Sequence, residues 1–324
     1  MCKSVSLPAG GVVRELVAGA LREDVGGGDL SAGLVDARAR AVATLFCREG
    51  RAVLCGRAWF EEAFRQVDAA VEVRWLRQDG DTLAAGDAVC RIAGRARALL
   101  TAERVAINLL QTLSATATVA RRYVEAAAGA GARITDTRKT VPGLRVAQKY
   151  AAAVGGARNH RIGLFDQVLI KENHIAAVGG IAEALRRARE VANESRIEIE
   201  VENLTQLREA LTAGATRIML DNFGVDALRE AVAVTAGRAE LEASGNITLD
   251  DVREIAQTGV DLISIGALTK HIQAVDFSLR FDVGDVDAGG DADVTGDGDT
   301  ANANAADVTD DEDVPATATT TAAP

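Results

Sequence analysis

The sequence is poor in aromatic residues, cysteine and histidine, and it contains no long hydrophobic run. Aromatic residues make up only 3% of the 324 residues, so aliphatic side chains must build the core. No apolar run reaches the roughly 18 residues of a membrane-spanning helix. The four cysteines lack zinc-site spacing, and three histidines add few ligands. Reduced thiols, and an N-terminus without the apolar core of a signal peptide, lead us to expect a cytoplasmic protein.

The charge is unevenly distributed along the chain. The formal net charge is -11, which argues against a non-specific nucleic-acid binder. Residues 285–324 contain eleven acidic residues and no Lys or Arg, so the other 36 acidic residues balance the 36 basic ones. Because this segment is also poor in hydrophobic residues, we expect a disordered acidic tail. A neutral body makes any local basic cluster informative.

Hydrophobic periodicity divides the rest of the chain into two parts. Strand-like alternation recurs in three segments separated by glycines, at 40–47, 72–77 and 88–93. These segments predict a small N-terminal α+β domain over residues 1–110. From residue 133 onward, short β-branched runs alternate with helical patterns, which predicts a parallel α/β barrel over residues 111–270. A doubly wound open sheet is the alternative architecture.

Each predicted barrel strand ends in residues of functional type. The active site of such a barrel forms at the C-terminal ends of its strands. Those ends carry, in chain order, Thr137-Arg138-Lys139, Lys171, Glu200, Asp221, Ser244-Gly245-Asn246 and Gly266-Ala267. We therefore expect these residues to share one site.

A basic cluster lies between residues 133 and 171, with eight Lys and Arg residues and two acidic ones. A solvated helix face explains Arg145 and Lys149, which are four residues apart. It does not explain Arg138, Lys139 and Lys171, which follow apolar strands. Arg binds carboxylates bidentately and Lys acts as a point charge for phosphate. The cluster therefore predicts a ligand with several negative charges.

Two further features suggest what this ligand contacts. His160 and Arg161 follow two glycines, which let the backbone approach a ligand closely. The small residues after the last two strands are typical of phosphate binding by backbone N–H groups. Glu200 and Asp221 face the basic cluster. Three interpretations of these two acidic residues are open: they bind Mg²⁺ through oxygen ligands, they stabilise developing positive charge, or they form ion pairs with Arg138 and Lys171.

In their order and spacing, these residues resemble the quinolinate phosphoribosyltransferase family. The resemblance covers roughly residues 10–282 and is most specific between 137 and 174. The matching motifs there are Thr137-Arg138-Lys139-Thr140-Val141-Pro142-Gly143-Leu144-Arg145, Lys149-Tyr150-Ala151, Gly155-Gly156, His160-Arg161, Gly163-Leu164, Asp166 and Leu169-Ile170-Lys171-Glu172-Asn173-His174.

The resemblance implies a type II phosphoribosyltransferase fold, in which residues 271–284 join the N-terminal domain. It implies that quinolinate and phosphoribosyl pyrophosphate give nicotinate mononucleotide, pyrophosphate and CO₂ in NAD biosynthesis, with Mg²⁺. In the family an arginine like Arg104 comes from the neighbouring subunit, so a homodimer is implied and further assembly is left open.

The resemblance also implies a role for each site residue. Quinolinate would contact Arg104, Thr137, Arg138, His160, Arg161 and Lys171. Catalysis would fall to Lys139, Lys171, Glu200 and Asp221, with Mg²⁺ held at Glu200 and Asp221 directly or through water or pyrophosphate. The phosphoribosyl group would contact Lys139, Ser244, Gly245, Asn246, Gly266 and Ala267.

The sequence departs from the family pattern at three places. Ala157 and Asn246 stand where glycine is usual, and Lys270-His271 replaces the usual His-Ser. Four alternatives also stay open. They are a nicotinate or other-acid transferase, a paralogue associated with molybdenum transport, a Schiff-base aldolase using Lys171, and a phosphosugar-binding regulator.

Overall fold

The computed structural model describes residues 6–282, so the acidic tail expected at 285–324 lies outside the described residues. Within 6–282, no helix combines the length and the apolar character needed to cross a bilayer. The described chain has an N-terminal α+β part and a C-terminal α/β part, as the hydrophobic periodicity predicts.

The N-terminal part contains three helices and five strands before the chain enters the barrel. They are α1 (Gly10–Val25), β1 (Arg40–Cys47), β2 (Ala52–Val53), α2 (Arg57–Val67), β3 (Glu72–Trp75), β4 (Thr82–Leu83), β5 (Ala88–Arg95) and α3 (Ala96–Ala126), with a 3-10 turn at Ser31–Leu34. The last described strand, β12 (Phe277–Phe281), returns to this part and pairs antiparallel with β1. The resulting sheet has the order β12-β1-β5-β3.

The few aromatic residues are concentrated in the N-terminal core. Trp59, Phe60 and Phe64 are fully or almost fully buried on one face of α2, and Phe60 contacts the ring of Trp75. Trp59 also packs against Tyr150, which comes from the C-terminal part. Large rings concentrated in one layer supply burial that a mostly aliphatic chain would otherwise lack.

The C-terminal part alternates strands and helices. It consists of β6 (Arg133–Thr135), α4 (Arg145–Val154), β7 (Val168–Ile170), α5 (Glu172–Val178), α6 (Ile181–Val191), β8 (Ile197–Val201), α7 (Leu204–Thr212), β9 (Arg217–Asp221), α8 (Val225–Thr235), β10 (Glu240–Ser244), α9 (Val252–Ala256), β11 (Leu262–Ser264) and α10 (Ala267–Lys270).

The six strands β6 to β11 form one parallel sheet in the order β6-β11-β10-β9-β8-β7. Strands β7 to β11 lie side by side in chain order, and β11 returns to β6, which is the order of a barrel. A doubly wound sheet would instead reverse its order at a switch point. The barrel is open between β6 and β7, where Arg158 forms a single bridge with Thr135 at the β6 edge.

Most predicted strands occur within one or two residues of their expected bounds, and the differences have local causes. The strand expected to reach Thr137 ends at Thr135, because the Asp136 carboxylate binds backbone and side chains outside the sheet. Helix α9 begins at Val252, after a turn in which Thr248 donates to Asp251. Helix α2 was not among the predicted elements.

Gly155 allows α4 and α3 to approach closely. A Cβ atom at this position would lie 2.5 Å from the Ala117 carbonyl oxygen and 2.6 Å from the Ala120 Cβ. We expect Gly155→Ala to lower the free energy of unfolding by about 1–3 kcal/mol, measured by urea denaturation. The control is Gly11→Ala on α1, where no atom lies within 4 Å of the added methyl group. Equal stability of the two variants would contradict this account of the contact.

Candidate active site

A cavity of about 490 Å³ lies at the C-terminal ends of the barrel strands. It brings together eleven of the fourteen residues predicted to form the site: Thr137, Arg138, Lys139, His160, Arg161, Lys171, Glu200, Asp221, Ser244, Gly245 and Asn246. Leu169, Met219, Asn222, Glu242 and Ser264 complete the lining. Residues 133–171 therefore contribute a basic wall, which faces carboxylates from β8, β9 and β10.

Three predicted site residues do not line this cavity. Gly266 lies against a lining residue, since a Cβ atom there would be 2.9 Å from Lys139 Cδ. Ala267 follows it as the first residue of α10. Arg104 is exposed on α3, in the N-terminal part. A single chain therefore assembles the cavity without Arg104.

The two arginines of the cavity are held in an environment that suits an anion. Arg161 donates from Nη1 to the Gln167 carbonyl over 3.2 Å. Burial, and after it the positive charge of Arg138, lowers the pKa of Arg161. Arg138 Nε is buried and has no hydrogen-bond partner within residues 6–282. Because Arg138 itself lines the cavity, its guanidinium group is placed to bind an anion there.

The carboxylates of the cavity are arranged around Lys171. Lys171 Nζ donates to Glu200 Oε2 over 2.6 Å. Burial raises the pKa of Glu200, the hydrogen bond from Lys171 opposes this, and the charge of Asp221 raises it further. Mg²⁺ usually binds proteins through one or two carboxylates, together with oxygen atoms of substrate phosphates. Glu200 and Asp221 lie close enough together for the charge of one to affect the other. By donor chemistry, Glu200 and Asp221 fit this ion.

His160 lines the cavity, but protein groups occupy both of its ring nitrogens. The Arg161 backbone N–H donates to Nδ1 over 2.8 Å, so the ring proton sits on Nε2, which lies 2.9 Å from Glu198 Oε2. The ring therefore has no free N–H for a ligand. His174 also acts locally, since its Nδ1 accepts the Lys171 backbone N–H at the start of α5.

A buried charged cluster lies beneath His160. Arg217 reaches Glu242 over 3.0 Å and Glu198 over 3.4 Å, and both carboxylates are fully buried. Burial, and after it the charge of Glu198, raises the pKa of Glu242 to about 7. His160, Glu198 and Glu242 could form a metal-binding set by residue type. The Arg217 guanidinium already supplies the positive charge there, so we assign no ion to this cluster.

Sequence reasoning assigned no role to Arg217 or Glu242. The signal that would have found them is alternation, because residues two apart on a strand face the same side. Glu198 and Glu200 on β8 share a face, as do Glu240 and Glu242 on β10. In a barrel that face points inward, so the repeated acidic residues predict a charged interior.

The loop after β10 explains one departure from the family pattern. Gly245 has φ 112° and Asn246 has φ 44°, both in the left-handed region. Asparagine adopts this region more readily than most residues, so Asn246 keeps a backbone that glycine would also allow. A Cβ atom at Gly245 would collide with the Asn222 amide oxygen. Ala157, the second departure, is buried without a positive φ and so needs no glycine.

Comparison with known proteins yields one consistent family. The family model of the quinolinate phosphoribosyl transferase C-terminal domain matches residues 116–280, and that of the N-terminal domain matches residues 29–114. A probable nicotinate-nucleotide pyrophosphorylase (carboxylating) of Bacillus subtilis (strain 168) is 41% identical over 258 residues, which cover 79% of this chain and 89% of the relative. A chloroplastic nicotinate-nucleotide pyrophosphorylase (carboxylating) of Arabidopsis thaliana is 39% identical over 283 residues, covering 81% of each chain.

The fold comparison agrees with the sequence comparison. The solved structure of the nicotinate-nucleotide pyrophosphorylase from Francisella tularensis superimposes with a TM-score of 0.83 at 41% identity. The match covers 86% of this chain and 99% of that one. Both the N-terminal α+β part and the barrel therefore have counterparts in the same relatives.

The raised pKa of Glu242 predicts how stability depends on pH. Between the ordinary pKa of 4.5 and the native value of about 7, the native protein holds a proton that the unfolded chain has released. Stability therefore falls as the pH rises through this range. Glu242→Gln mimics the protonated acid, so we expect equal stability below pH 4.5. Above pH 7 we expect a gain of up to about 3 kcal/mol, measured by urea denaturation.

The control for this measurement is Glu209→Gln, at an exposed position on α7. It should leave the pH dependence unchanged. A Glu242→Gln variant that is no more stable than wild type at pH 8.5 would show that Glu242 is already ionised at neutral pH.

Proposed function

The chain belongs to the quinolinate phosphoribosyltransferase family, and we propose from this premise how its cavity performs the reaction. The enzyme is a pentosyltransferase of NAD biosynthesis. It transfers the phosphoribosyl group of phosphoribosyl pyrophosphate to quinolinate and releases pyrophosphate and CO₂, giving nicotinate mononucleotide. The observation that carries this function is one cavity that brings four cations together with acidic residues. The cations are Arg138, Lys139, Arg161 and Lys171, and the acidic residues are Glu200, Asp221 and Glu242.

Quinolinate carries two adjacent carboxylates, which suit the two arginines. We assign one carboxylate to Arg138, whose buried Nε has no partner in the described chain. Arg161 and Lys171 take the remaining negative charge, and Thr137 lies beside them. The Lys171 ammonium has three N–H donors, so it can bind the substrate while it still donates to Glu200. His160 shapes this wall without donating a ring N–H.

The phosphoribosyl group is assigned to the opposite wall. Lys139 lies beside Gly266. Ser244, Gly245 and Asn246 form a loop in which Gly245 and Asn246 have positive φ, and such backbone can direct its N–H groups at a phosphate. When bound, Mg²⁺ at Glu200 and Asp221 would neutralise charge on the departing pyrophosphate. The two carboxylates themselves stabilise positive charge that develops on the ribose as the bond to pyrophosphate breaks.

Loss of CO₂ follows from the same charge distribution. The bond between the ring carbon and its carboxylate breaks, the electron pair remains on the ring carbon, and a proton takes the place of CO₂. Arg138, Arg161 and Lys171 supply positive potential where this negative charge develops. The basic wall therefore serves both recognition of the substrate and stabilisation of the carbanion-like ring carbon.

The alternative functions are less well supported. Nicotinate has one carboxylate and needs fewer cations than this wall supplies. A paralogue tied to molybdenum transport is not favoured, because the similar proteins are named for the pyrophosphorylase reaction. Lys171 is half-buried and ion-paired with Glu200, which differs from the desolvated or cation-flanked lysine of a Schiff-base enzyme.

A homodimer would bring Arg104 to the cavity, and two exposed apolar patches support it. The first lies beside Arg104 and consists of Leu30, Leu34 and Leu100, exposed at 94%, 90% and 40%. Its two segments are joined by the Thr101 hydroxyl, which donates to Asp29. The second consists of Ile162, Leu164 and Phe165, directly after Arg161, exposed at 42%, 75% and 82%. Exposed apolar patches of this kind are typical of protein interfaces.

A cytoplasmic location is part of the same proposal. Cys47, Cys55 and Cys90 are buried free thiols, as expected of a protein from a reducing compartment.

We expect the purified protein with phosphoribosyl pyrophosphate and Mg²⁺ to convert quinolinate, with CO₂ and mononucleotide formed in equal amounts. Arg138→Ala and Lys171→Ala should each lower kcat/KM by on the order of a hundredfold, because each removes a charged contact to substrate. Thermal unfolding of both should stay close to wild type. The control is Arg208→Ala, an exposed residue on α7 that pairs with Glu230. Product from nicotinate alone, or near-normal activity in both variants, would contradict the assignment.

The dimer proposal predicts complementation between two inactive variants. Arg104→Ala and Lys171→Ala homodimers each lack one group in every site. After subunit exchange, each mixed dimer has one intact site, so about a quarter of the wild-type activity should return on 1:1 mixing. Mixing Arg138→Ala with Lys171→Ala is the control, because both residues come from the same chain and no intact site forms. If mixing Arg104→Ala with Lys171→Ala restores no activity, the proposal that Arg104 reaches the cavity of the neighbouring subunit is overturned.

A further inference from the structure

A buried ion pair next to the cavity has no part in the reaction described above. Asp136 follows β6 and Lys149 lies on α4, and their side chains are 0% and 3% exposed. Lys149 Nζ lies 2.5 Å from Asp136 Oδ1. Neither residue lines the cavity. Buried ion pairs are often no more stabilising than apolar residues of the same volume, so stability alone is a weak reason for this one.

The pair holds both backbone polar groups of His160. The His160 N–H donates to Asp136 Oδ1 over 2.8 Å, and the His160 carbonyl accepts from Lys149 Nζ over 2.9 Å. The Asn159 side-chain amide extends the network by donating to Asp136 Oδ2 over 2.7 Å and to the Lys149 carbonyl over 2.8 Å. A segment outside any helix or strand is thereby fixed by one carboxylate and one ammonium.

This segment carries Arg161, one of the two cavity arginines, and Asp136 lies two residues before the other, Arg138. Arg161 directly follows His160, while Arg138 is separated from Asp136 only by Thr137. On the far side of Arg161, Asp166 accepts the backbone N–H groups of Ile162 and Gly163. Carboxylates thus hold the backbone on both sides of Arg161, which limits where its guanidinium group can move.

The two arginines need such anchoring because they repel each other. Each carries a positive charge, both line the same cavity, and Arg138 Nε has no partner in the described chain. Without a ligand, repulsion favours conformations in which the guanidinium groups move apart. Binding is tighter when a site is already held in the geometry of its ligand.

We propose that the Asp136–Lys149 ion pair is a positioning device that holds Arg138 and Arg161 together, against their mutual repulsion, in the arrangement that receives the dicarboxylate. This inference rests on the proposed function, because it takes quinolinate as the ligand of these arginines. Asp136, Lys149 and Asn159 are positioning residues, since they act through His160 and Arg161 and do not touch the cavity.

The test uses the double variant Asp136→Asn/Lys149→Met. Removing both charges together avoids leaving one buried charge without a partner. We expect the KM and the calorimetric Kd for quinolinate to rise roughly ten- to a hundredfold, because misplacement of a binding group is costly. The KM for phosphoribosyl pyrophosphate should change less than about twofold. The kcat should fall as well, because the same two arginines stabilise the negative charge that develops on the ring carbon. A merely structural role would not separate the two substrates.

The matched control is Asp68→Asn/Arg95→Met, which removes an ion pair of 2.6 Å in the N-terminal part. It should leave both KM values unchanged. Asn159→Ala keeps both charges of the Asp136–Lys149 pair and removes only the amide bonds. It should give a smaller rise in the quinolinate KM, and it decides the question if the double variant does not fold.

The outcomes separate the two proposals. A wild-type protein that does not turn over quinolinate overturns the proposed function. A wild type that does, together with a folded double variant whose quinolinate KM is unchanged, overturns the positioning role alone. A fall in the apparent kcat with both KM values unchanged also overturns it, because that result indicates only a smaller folded fraction.

Discussion

The structure depends on holding several like charges together in one cavity while no anion is bound. Two of the four cavity cations, Lys171 and Arg161, are balanced or anchored by protein groups. Lys171 is balanced by Glu200, and Arg161 donates to the Gln167 carbonyl. Lys149, which belongs to the same basic stretch of sequence, is turned inward to Asp136. Arg138 keeps a buried nitrogen without a partner among residues 6–282. Arg138 is thus the cavity arginine to which the proposal assigns a carboxylate of the substrate.

The same constraint extends into the barrel. The interior of a parallel barrel is commonly filled with branched apolar side chains. Here Arg217, Glu198 and Glu242 occupy it beneath His160. Desolvating these groups is costly, and the proton that burial keeps on Glu242 near neutral pH limits the cost to one ion pair. In return Glu198 accepts the proton on His160 Nε2, which holds the imidazole ring in place.

The two parts of the molecule contribute differently to the site. The barrel supplies the strand ends, and a single seam between β6 and β7 leaves room for the segment that carries His160 and Arg161. The N-terminal part supplies an aromatic-rich core and an exposed face with Arg104. Because Arg104 does not line the cavity of its own chain, the proposed dimer assigns it to the cavity of another copy.

The sequence alone determined the fold class and most of the cavity lining. Strand periodicity places Lys171, Glu200 and Asp221 at strand ends, and parallel strands bring their C-terminal ends to one edge for any sequence that follows this pattern. Only the tertiary structure decided how neighbouring groups divide their interactions. Lys149 was expected on a solvated helix face and is instead buried against Asp136, and His160 donates toward Glu198 and not into the cavity. Periodicity reports which side of an element a residue occupies. Pairing depends on distances between elements far apart in the chain, which only the packed fold defines.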